Sequence, residues 1–266
     1  MALPSNLTFA EMYERFLVEP LFRPFAEQLL ARARPTANDS VLDIACGTGI
    51  VARLARKTLG VSATVVGVDV SGPMLAVGRG IDATIDWREG NATALPVTAD
   101  EQFSMVTCHQ GLQFVPDKAG AVREMRRALR AGGRVAVGTW LSIEEIPFVR
   151  DLDEIARQQL GPFTDSRHSF GDGNALATLL SENGFHDATL ETVSHDVRMN
   201  DNGPLFARMN AMAVVGMSPK GKALDDAGRG QLAGEIAAAS MEVLKRYTKD
   251  GTLTFSLSTN VATARA

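Results

Sequence analysis

A glycine-rich turn with two nearby acids is the part of this sequence whose residue types could do chemistry. Gly47 and Gly49 follow an apolar run, and Ala52 completes a GxGxxA spacing at the start of a helical pattern. Such a turn lets a ligand approach the backbone closely at the N-terminus of a helix. Asp43 lies inside the apolar run, and Asp69 follows twenty residues after Gly49. We therefore predict a ligand site at this turn.

The sign of the charge at the turn distinguishes two kinds of ligand. The spacing of the glycines and Asp69 also fits a dinucleotide site, so a nicotinamide cofactor stays an alternative. Asp43, however, would repel a pyrophosphate at the helix N-terminus and would attract a ligand with an ammonium and a sulfonium group. Asp69 would accept hydrogen bonds from ribose hydroxyls. The simpler alternatives are that backbone amides of the turn hold Asp43 and that Asp69 is a solvated helix cap.

The elements that must hold this turn alternate between strand and helix patterns. Strand patterns cover residues 41–45, 63–70, 84–89, 102–108 and 134–140. Because the crossovers between such strands are right-handed, the alternation predicts an α/β fold with a doubly wound, mostly parallel sheet. Two later strand patterns, 188–199 and 252–263, predict an antiparallel pair that ends the sheet, with helices between its members.

We expect four segments along the chain. They are an N-terminal helical lid over residues 1–35, an α/β core over 36–199, a helical insertion over 200–249 that serves as cap, dimer face or substrate pocket, and the last strand of the core sheet over 250–266. Pro20 and Pro24 interrupt the helical pattern of the first segment, which predicts two short helices there.

Composition limits the classes of partner. The 266 residues carry a formal net charge of −4 and no aromatic-interleaved basic patch, which argues against nucleic acid as a partner. No apolar run is long enough for stable membrane insertion. The two cysteines, Cys46 and Cys108, lie at predicted strand ends. We expect them to be reduced thiols without a disulfide, in a protein of the cytoplasm.

Five motifs carry a resemblance to a known family. VLDIACGTG, VVGVDVSGPML and EGNATALP resemble the first three motifs of the class I S-adenosylmethionine-dependent methyltransferases. GLQFVPD and LRAGGRVAVGTW resemble the fourth and fifth. The chain is most similar to the small-molecule group that includes the ubiquinone and menaquinone C-methyltransferases. The resemblance covers roughly residues 40–140 and then weakens, although the last two strands fit the reversed final strand of that family's Rossmann-like seven-stranded sheet.

The resemblance implies a set of residues around S-adenosylmethionine and requires no metal. Those beside the methionine moiety and in the turn would be Asp43, Ala45, Cys46, Gly47 and Gly49, while Asp69 would bind the ribose. Those around the adenine would be Val70, Met74, Asn91 and Ala92. Asn91 replaces the more usual Asp, and it can still accept a hydrogen bond from the exocyclic amine. Residues completing the cofactor site would be Tyr13 and Arg23 of the lid, with His109 and Gln110 after the fourth strand.

Methyl transfer needs a positioned nucleophile more than it needs a strong acid, and a base can add to the rate. His109 is the first candidate base, because it ends the fourth strand beside the expected methyl donor; the alternative is a ring that is merely packed. His168, in a polar loop over the same edge of the sheet, is a second candidate. His186 and His195 lie far along the sheet and carry little weight.

The acceptor pocket is the least determined part of the site. An apolar stripe could line it or could be core or a dimer face: Leu205, Phe206, Met209, Met212, Val215 and Met217. Tyr13, Phe16 and Phe22 could cover the cofactor or only the core.

We expect methyl transfer to O, N or C of a small, apolar or aromatic acceptor, by a protein that can form a homodimer. Alternatives are a quinone-pathway C-methyltransferase, a nicotinamide-dependent oxidoreductase, and a non-catalytic cofactor-binding subunit.

Overall fold

One mixed sheet forms the centre of the protein, and the computed structural model describes residues 7–201 and 203–266. The strands are β1 (Val41–Ile44), β2 (Val65–Asp69), β3 (Asp86–Glu89), β4 (Phe103–His109), β5 (Leu129–Trp140), β6 (His186–Asn200), β7 (Thr248–Lys249) and β8 (Thr252–Arg265). Their order is β3-β2-β1-β4-β5-β8-β6, with the short β7 paired to β8. β1 to β5 are parallel, and β8 is antiparallel to both β5 and β6. The predicted α/β sheet with an antiparallel final strand is confirmed.

Helices cover the sheet and one of its edges. They are α1 (Phe9–Met12), α2 (Arg23–Ala33), α3 (Ile50–Leu59), α4 (Gly72–Ile81), α5 (Lys118–Ala128), α6 (Pro147–Leu160), α7 (Gly173–Glu182), α8 (Gly203–Met217), α9 (Pro219–Lys222), α10 (Asp226–Ala239) and α11 (Met241–Tyr247). Short 3-10 turns cover Leu112–Phe114, Ile143–Glu145 and Ser166–His168. None of the helices within the described ranges is both long and apolar enough to cross a membrane.

The two faces of the sheet bury separate clusters of side chains. Successive residues of a strand point to opposite faces, so Val41 packs with Leu29 of α2 and Ala55 of α3. Leu42 packs on the other face with Met125 of α5 and Leu176 of α7. β1 is completely buried, as its apolar composition predicts for a central parallel strand.

The N-terminal segment is continuous, and this differs from the predicted pair of short helices. A π-helix, Tyr13–Phe22, joins α1 to α2 without a break. Pro24 lies in the first turn of α2, where its missing N–H costs no hydrogen bond. Pro20 lies inside the π-helix, whose wider turn replaces the regular i→i−4 bonding that a proline interrupts.

Four helices, α8 to α11, separate β6 from β8, which agrees with the helical segment predicted between the last two strands. Their apolar residues form one cluster with the start of β8 and with α6, including Phe148, Phe206 and Phe255. The expected division into lid, core, insertion and final strand stays a prediction. Residues 1–6 of the expected lid and residue 202 of the predicted turn before α8 lie outside the described residues.

A buried carboxylate, Asp39, lies at the edge of the sheet opposite the glycine turn and connects several elements there. Asp39 accepts hydrogen bonds from Arg134 Nη2 and Ser104 Oγ at 2.6 Å each and from the Thr36 backbone N–H at 2.7 Å. Arg134 also donates to the carbonyl of Arg34 at the end of α2. Although burial alone would raise the pKa of Asp39, these hydrogen bonds outweigh burial and hold the pKa well below its usual value. The network therefore joins α2, β4 and β5 at one point.

We expect Asp39→Asn to lower the free energy of unfolding at pH 7 by about 1.5–3 kcal/mol, because hydrogen bonds to a charged group are lost. A carboxyl with a depressed folded pKa contributes its stability above the unfolded pKa and loses it as the pH falls. The difference in the free energy of unfolding between wild type and variant should therefore shrink as the pH falls below 3.8, the ordinary pKa of an aspartate. Urea unfolding at several pH values measures this. The control is Asp226→Asn, whose side chain is 98% exposed and should change little.

Candidate active site

The turn after β1 requires an unusual backbone, which explains its glycines. Ala45, Gly47 and Gly49 all have positive φ angles, of 53°, 58° and 85°. The Gly49 N–H donates to the Cys46 carbonyl at 2.8 Å, which closes the turn before α3 begins. A Cβ atom at Gly49 would lie 2.1 Å from the indole of Trp87, so this position has no room for a side chain.

Asp69 connects this turn to the end of β2. Its Oδ2 accepts from the Gly47 N–H at 2.8 Å, and its Oδ1 accepts from the Ser71 N–H at 2.9 Å. Two backbone donors therefore hold the carboxylate in one orientation. A carboxylate has about four lone-pair positions, so it can still accept from a ligand while both contacts are made. Asp69 lies on the wall of the cavity described below.

Asp43 lies underneath the turn instead of facing a ligand. Its side chain is buried, with Oδ1 accepting from Thr107 Oγ1 at 2.8 Å and Oδ2 from the Ala52 N–H at 3.2 Å. Burial raises the pKa of Asp43 to about 7, and the nearby charge of Asp69 adds to the rise. Asp43 is thus satisfied within the protein, as its simpler alternative expected, but by Thr107 and the first turn of α3 instead of the amides of the glycine turn. Any attraction to a cationic ligand would act through the turn, without direct contact.

A cavity of about 680 Å³ opens beside the turn. Its wall runs along the edge of the sheet where the parallel strands end, and includes Asp69 of β2, Ala45 after β1, Gln110 after β4, Trp140 of β5 and Phe255 of β8. We call the part over β2, β1 and β4 the turn half and the part over β5, β8 and α8 the apolar half. Open parallel sheets bind their ligands at this edge, beyond the carboxyl ends of the strands.

Most of the predicted cofactor residues lie on this wall. They are Tyr13, Ala45, Gly47, Asp69, Val70, Met74, Asn91, Ala92 and Gln110. The Oδ1 atom of Asn91 accepts from the backbone N–H and the hydroxyl of Thr93, both at 3.0 Å, so it shapes its own loop. Sequence reasoning did not single out Phe114, which is 51% exposed at the cavity. The GLQFVPD motif that contains it was the available signal.

Five predicted cofactor residues do not line the cavity: Asp43, Cys46, Gly49, Arg23 and His109. Gly49 lies against Trp87. Arg23 Nε donates to Glu19 at 2.6 Å, which keeps the guanidinium on the outer side of the helix. The roles given to these residues in cofactor binding stay predictions that this geometry does not support.

The ring of His109 is packed inside the protein. Burial lowers its pKa to about 3, and the Nε2 atom has no hydrogen-bond partner among the described residues. The ring edge faces Phe22, with centroids 6.4 Å apart. His109 was the first candidate base, but its Nε2 is buried and the side chain is not on the cavity wall.

The N-terminal helices form a roof over the cavity. Phe9, Tyr13, Leu17, Leu21 and Phe22 line it, which is the arrangement expected of a lid. Burial raises the pKa of Tyr13, and its ring lies 4.9 Å from that of Phe22.

Phe16 was expected in the lid with these residues, and it packs beside Met12 and Leu205 instead. An ion pair ties the roof to the turn, because Arg53 of α3 donates to Glu14 at 2.8 Å with both side chains largely buried. The roof and the turn are therefore held together.

Helix α8 supplies one wall of the apolar half. Of the predicted apolar stripe, Phe206, Met209 and Met217 line the cavity, whereas Leu205, Met212 and Val215 do not. Asn210 and Ala213 complete the lining face, which repeats at helical spacing. Other apolar side chains that line the cavity are Trp140, Val149, Phe255 and Leu257. A helix that is apolar on most sides does not reveal from its sequence which side faces a cavity.

Two polar side chains of the 166–168 turn also reach the apolar half. Arg167 donates to both oxygens of the buried Asp165, with Nη2 at 2.6 Å from Oδ2, and to Asn210 Oδ1 at 2.8 Å. His168 Nδ1 lies 2.9 Å from the Leu141 carbonyl oxygen. Sequence reasoning named His168 but not Arg167, whose role depends on Asn210 forty-three residues away.

Comparisons with known proteins find similarity in the region of the turn and the first five strands. Residues 42–137 match the family model described as a methyltransferase domain. The chain is 38% identical over 123 residues to the ubiquinone/menaquinone biosynthesis C-methyltransferase UbiE of Xylella fastidiosa strain M23, covering 44% of this chain and 48% of that protein. The chain thus spans about half the length of the curated relatives it matches. The sequence-based resemblance to class I methyltransferases is confirmed.

Solved structures share the fold over nearly the whole chain. The YcgJ protein of Bacillus subtilis matches with a TM-score of 0.57 at 18% identity, covering 90% of this chain and 97% of that one. Phosphoethanolamine N-methyltransferase 2 of Haemonchus contortus, in complex with S-adenosyl-L-methionine, matches with a TM-score of 0.55 at 16% identity, covering 98% of this chain and 60% of that one. At these identities the likeness concerns the fold.

We expect Gly49→Ala to lower the free energy of unfolding by more than Gly132→Ala does. Both glycines have a positive φ, 85° at Gly49 and 71° at Gly132, but a Cβ at Gly132 meets nothing within 4 Å, whereas one at Gly49 meets Trp87. Backbone strain alone costs about 1–2 kcal/mol, and overpacking adds about 1–3 kcal/mol. Denaturant unfolding of the two variants measures the difference. Equal losses would contradict the close packing of the turn on Trp87.

Proposed function

We propose that this protein is an S-adenosylmethionine-dependent methyltransferase that acts on an O, N or C nucleophile of a small, apolar or aromatic molecule. The observation that carries the proposal is the single cavity in which Asp69 and the glycine turn adjoin an apolar half. The match of residues 42–137 to the methyltransferase domain supports the same reading.

The residues of the turn half fit S-adenosylmethionine. Asp69 is fixed by two backbone amides and can accept from the ribose hydroxyls. A Cβ at Gly47 would have only the Tyr13 hydroxyl near it, at 4.0 Å, so the backbone there is open to the methionine moiety. Val70 and Met74 offer apolar contact for the adenine, and Ala92 can offer its backbone N–H. The group, when bound, supplies an activated methyl on a sulfonium.

The chain itself would position the donor and the acceptor and would exclude water from them. The roof and α8 enclose the acceptor, and the strand ends fix both ligands relative to one another. Holding two reactants in line replaces a bimolecular encounter, and this can lower a barrier by several kcal/mol. The apolar half favours acceptors with a flat or aliphatic body, because Trp140, Phe206 and Phe255 offer apolar surface.

There are three alternatives to this proposed function. A quinone-pathway C-methyltransferase is favoured by the name of the relative from Xylella fastidiosa, of which this chain covers 48%. A nicotinamide-dependent oxidoreductase would have to place a pyrophosphate above Asp43 and beside Asp69. A non-catalytic cofactor-binding subunit would share the turn half. We also retain as proposals a small-molecule acceptor, a homodimer, no nucleic acid partner and a location in the reducing cytoplasm.

Calorimetry with S-adenosylmethionine, S-adenosylhomocysteine and NADH tests the proposed cofactor. We expect binding of the first two and none of NADH; the reverse result would identify an oxidoreductase. A screen of phenols, enols and amines with methyl-labelled donor then tests transfer. Cofactor binding without transfer to any acceptor would favour the non-catalytic subunit.

Asp69→Ala should weaken the binding of S-adenosylhomocysteine by about 1.5–3 kcal/mol, because charge-assisted hydrogen bonds to the ribose are lost. Titration calorimetry measures this, and a thermal melt of each variant confirms that it folds. The matched control is Asp100→Ala, an exposed acid outside the cavity, which should bind as the wild type does. Unchanged affinity in the folded Asp69 variant would contradict the assignment to the ribose.

A further inference from the structure

His168 lies on the cavity wall close to the boundary between the two halves. Its Nδ1 is 2.9 Å from the carbonyl oxygen of Leu141, which directly follows β5. The turn that carries it packs against the 112–114 turn after β4, where Ser169 Oγ donates to the Gln113 carbonyl at 3.4 Å. His168 therefore lies over the ends of β4 and β5, between the predicted donor site and the apolar half.

The contact with Leu141 fixes which ring nitrogen carries the hydrogen. A carbonyl oxygen can only accept, so Nδ1 must donate, and in the neutral ring Nε2 then holds a lone pair. Burial lowers the pKa of His168, and the neighbouring Arg167 lowers it further, while Asp165 on the same turn and Asp153 on α6 oppose these effects. The ring is therefore neutral at physiological pH, with an acceptor at Nε2.

The charges on the cavity wall indicate which acceptors fit. Among the described lining residues the one acid is Asp69, in the turn half, and the cation in the apolar half is Arg167. Asp165 forms an ion pair with Arg167 but does not itself line the cavity. An ammonium group in the apolar half would find no carboxylate, whereas an oxygen that develops negative charge would lie in a half that carries a guanidinium.

We propose that His168 is the general base of this site and that the acceptor is an apolar compound with a weakly acidic hydroxyl, a phenol or an enol. This inference rests on the proposed methyltransferase function. It chooses between the two histidines considered from the sequence, because His168 lines the cavity and His109 does not.

The proton balance of the step is simple. His168 Nε2 takes the hydroxyl proton, and the electron pair of the acceptor, on its oxygen or on the conjugated carbon, forms the new bond to the methyl carbon. The carbon–sulfur bond breaks, and its electron pair stays on the sulfur, which leaves as a neutral thioether. If carbon is methylated, the proton on that carbon then moves by way of water to the acceptor oxygen, which restores the phenol or enol. The imidazolium finally releases its proton to water.

The test uses 4-nitrophenol as the probe, because its ionised form absorbs visible light. In the absence of any cofactor, we expect the bound probe to appear as the phenolate about one pH unit below the free probe, because His168 Nε2 takes the hydroxyl proton and the resulting imidazolium stabilises the phenolate. His168→Asn keeps an amide donor near the Leu141 carbonyl but removes the Nε2 lone pair. It should abolish most of that shift. His186→Asn, an exposed histidine, is the matched control and should retain the full shift.

The same probe reports turnover, since methylation of its oxygen removes the phenolate absorbance. At a pH where the free probe is still protonated, we expect His168→Asn to lower kcat by about tenfold or more, because the base then has a proton to remove. The affinity for S-adenosylhomocysteine should stay within twofold, which a loss of folding would not allow. In the wild type kcat/KM should fall only at a pH well below the ordinary histidine pKa of 6.5, because the pKa of His168 is lowered and protonation removes the base. The variant should lack this fall.

The outcomes separate the inference from the proposed function. If the wild type binds the cofactor and methylates the probe but His168→Asn retains both kcat and the ionisation shift, the base assignment is overturned. If the wild type methylates amines and neither binds nor methylates 4-nitrophenol, the acceptor class is overturned. If no form binds S-adenosylmethionine, the proposed function itself fails. His168→Gln, which loses the contact with Leu141, must show the same loss of turnover as the Asn variant.

Discussion

The double hydrogen bond of Asp69 is the constraint on which the candidate site depends. One carboxylate holds the turn after β1 through Gly47 and the start of α4 through Ser71. Because Gly47 follows β1 and Asp69 ends β2, the two strand ends cannot move apart without breaking the hydrogen bond between these residues. Trp87 fills the space beneath the turn and removes the room for a side chain at Gly49. Hydrogen bonds and close packing thus fix the conformation of the turn.

The two halves of the cavity arise in different ways. The turn half comes from successive strand–helix connections, so its geometry follows from a parallel sheet and its crossovers. The apolar half is assembled from segments far apart in sequence, with Trp140, Arg167, Phe206 and Phe255 meeting over the antiparallel end of the sheet. The match to the methyltransferase domain covers residues 42–137, which include most of the turn half but little of the apolar half. The match therefore gives no information about the residues of the apolar half.

Position relative to the cavity separates the two candidate histidines. Burial lowers the pKa of both His109 and His168. His109 has no partner for Nε2 among the described residues and packs edge-on against Phe22. His168 has its tautomer fixed by Leu141 and lies on the cavity. A shifted pKa thus indicates a reactive group only where geometry gives that group access to a ligand.

The sequence by itself determined the parallel sheet, the glycine turn, the place of Asp69 and the antiparallel final strand, because each follows from short-range periodicity and backbone requirements. It could not determine whether Asp43 faces the ligand or the turn, whether Pro20 breaks the first helix, or which side of α8 lines the cavity. Those depend on contacts with residues distant in the chain, such as Thr107 for Asp43. Local patterns fix elements and their ends, but only packing decides which side chains meet.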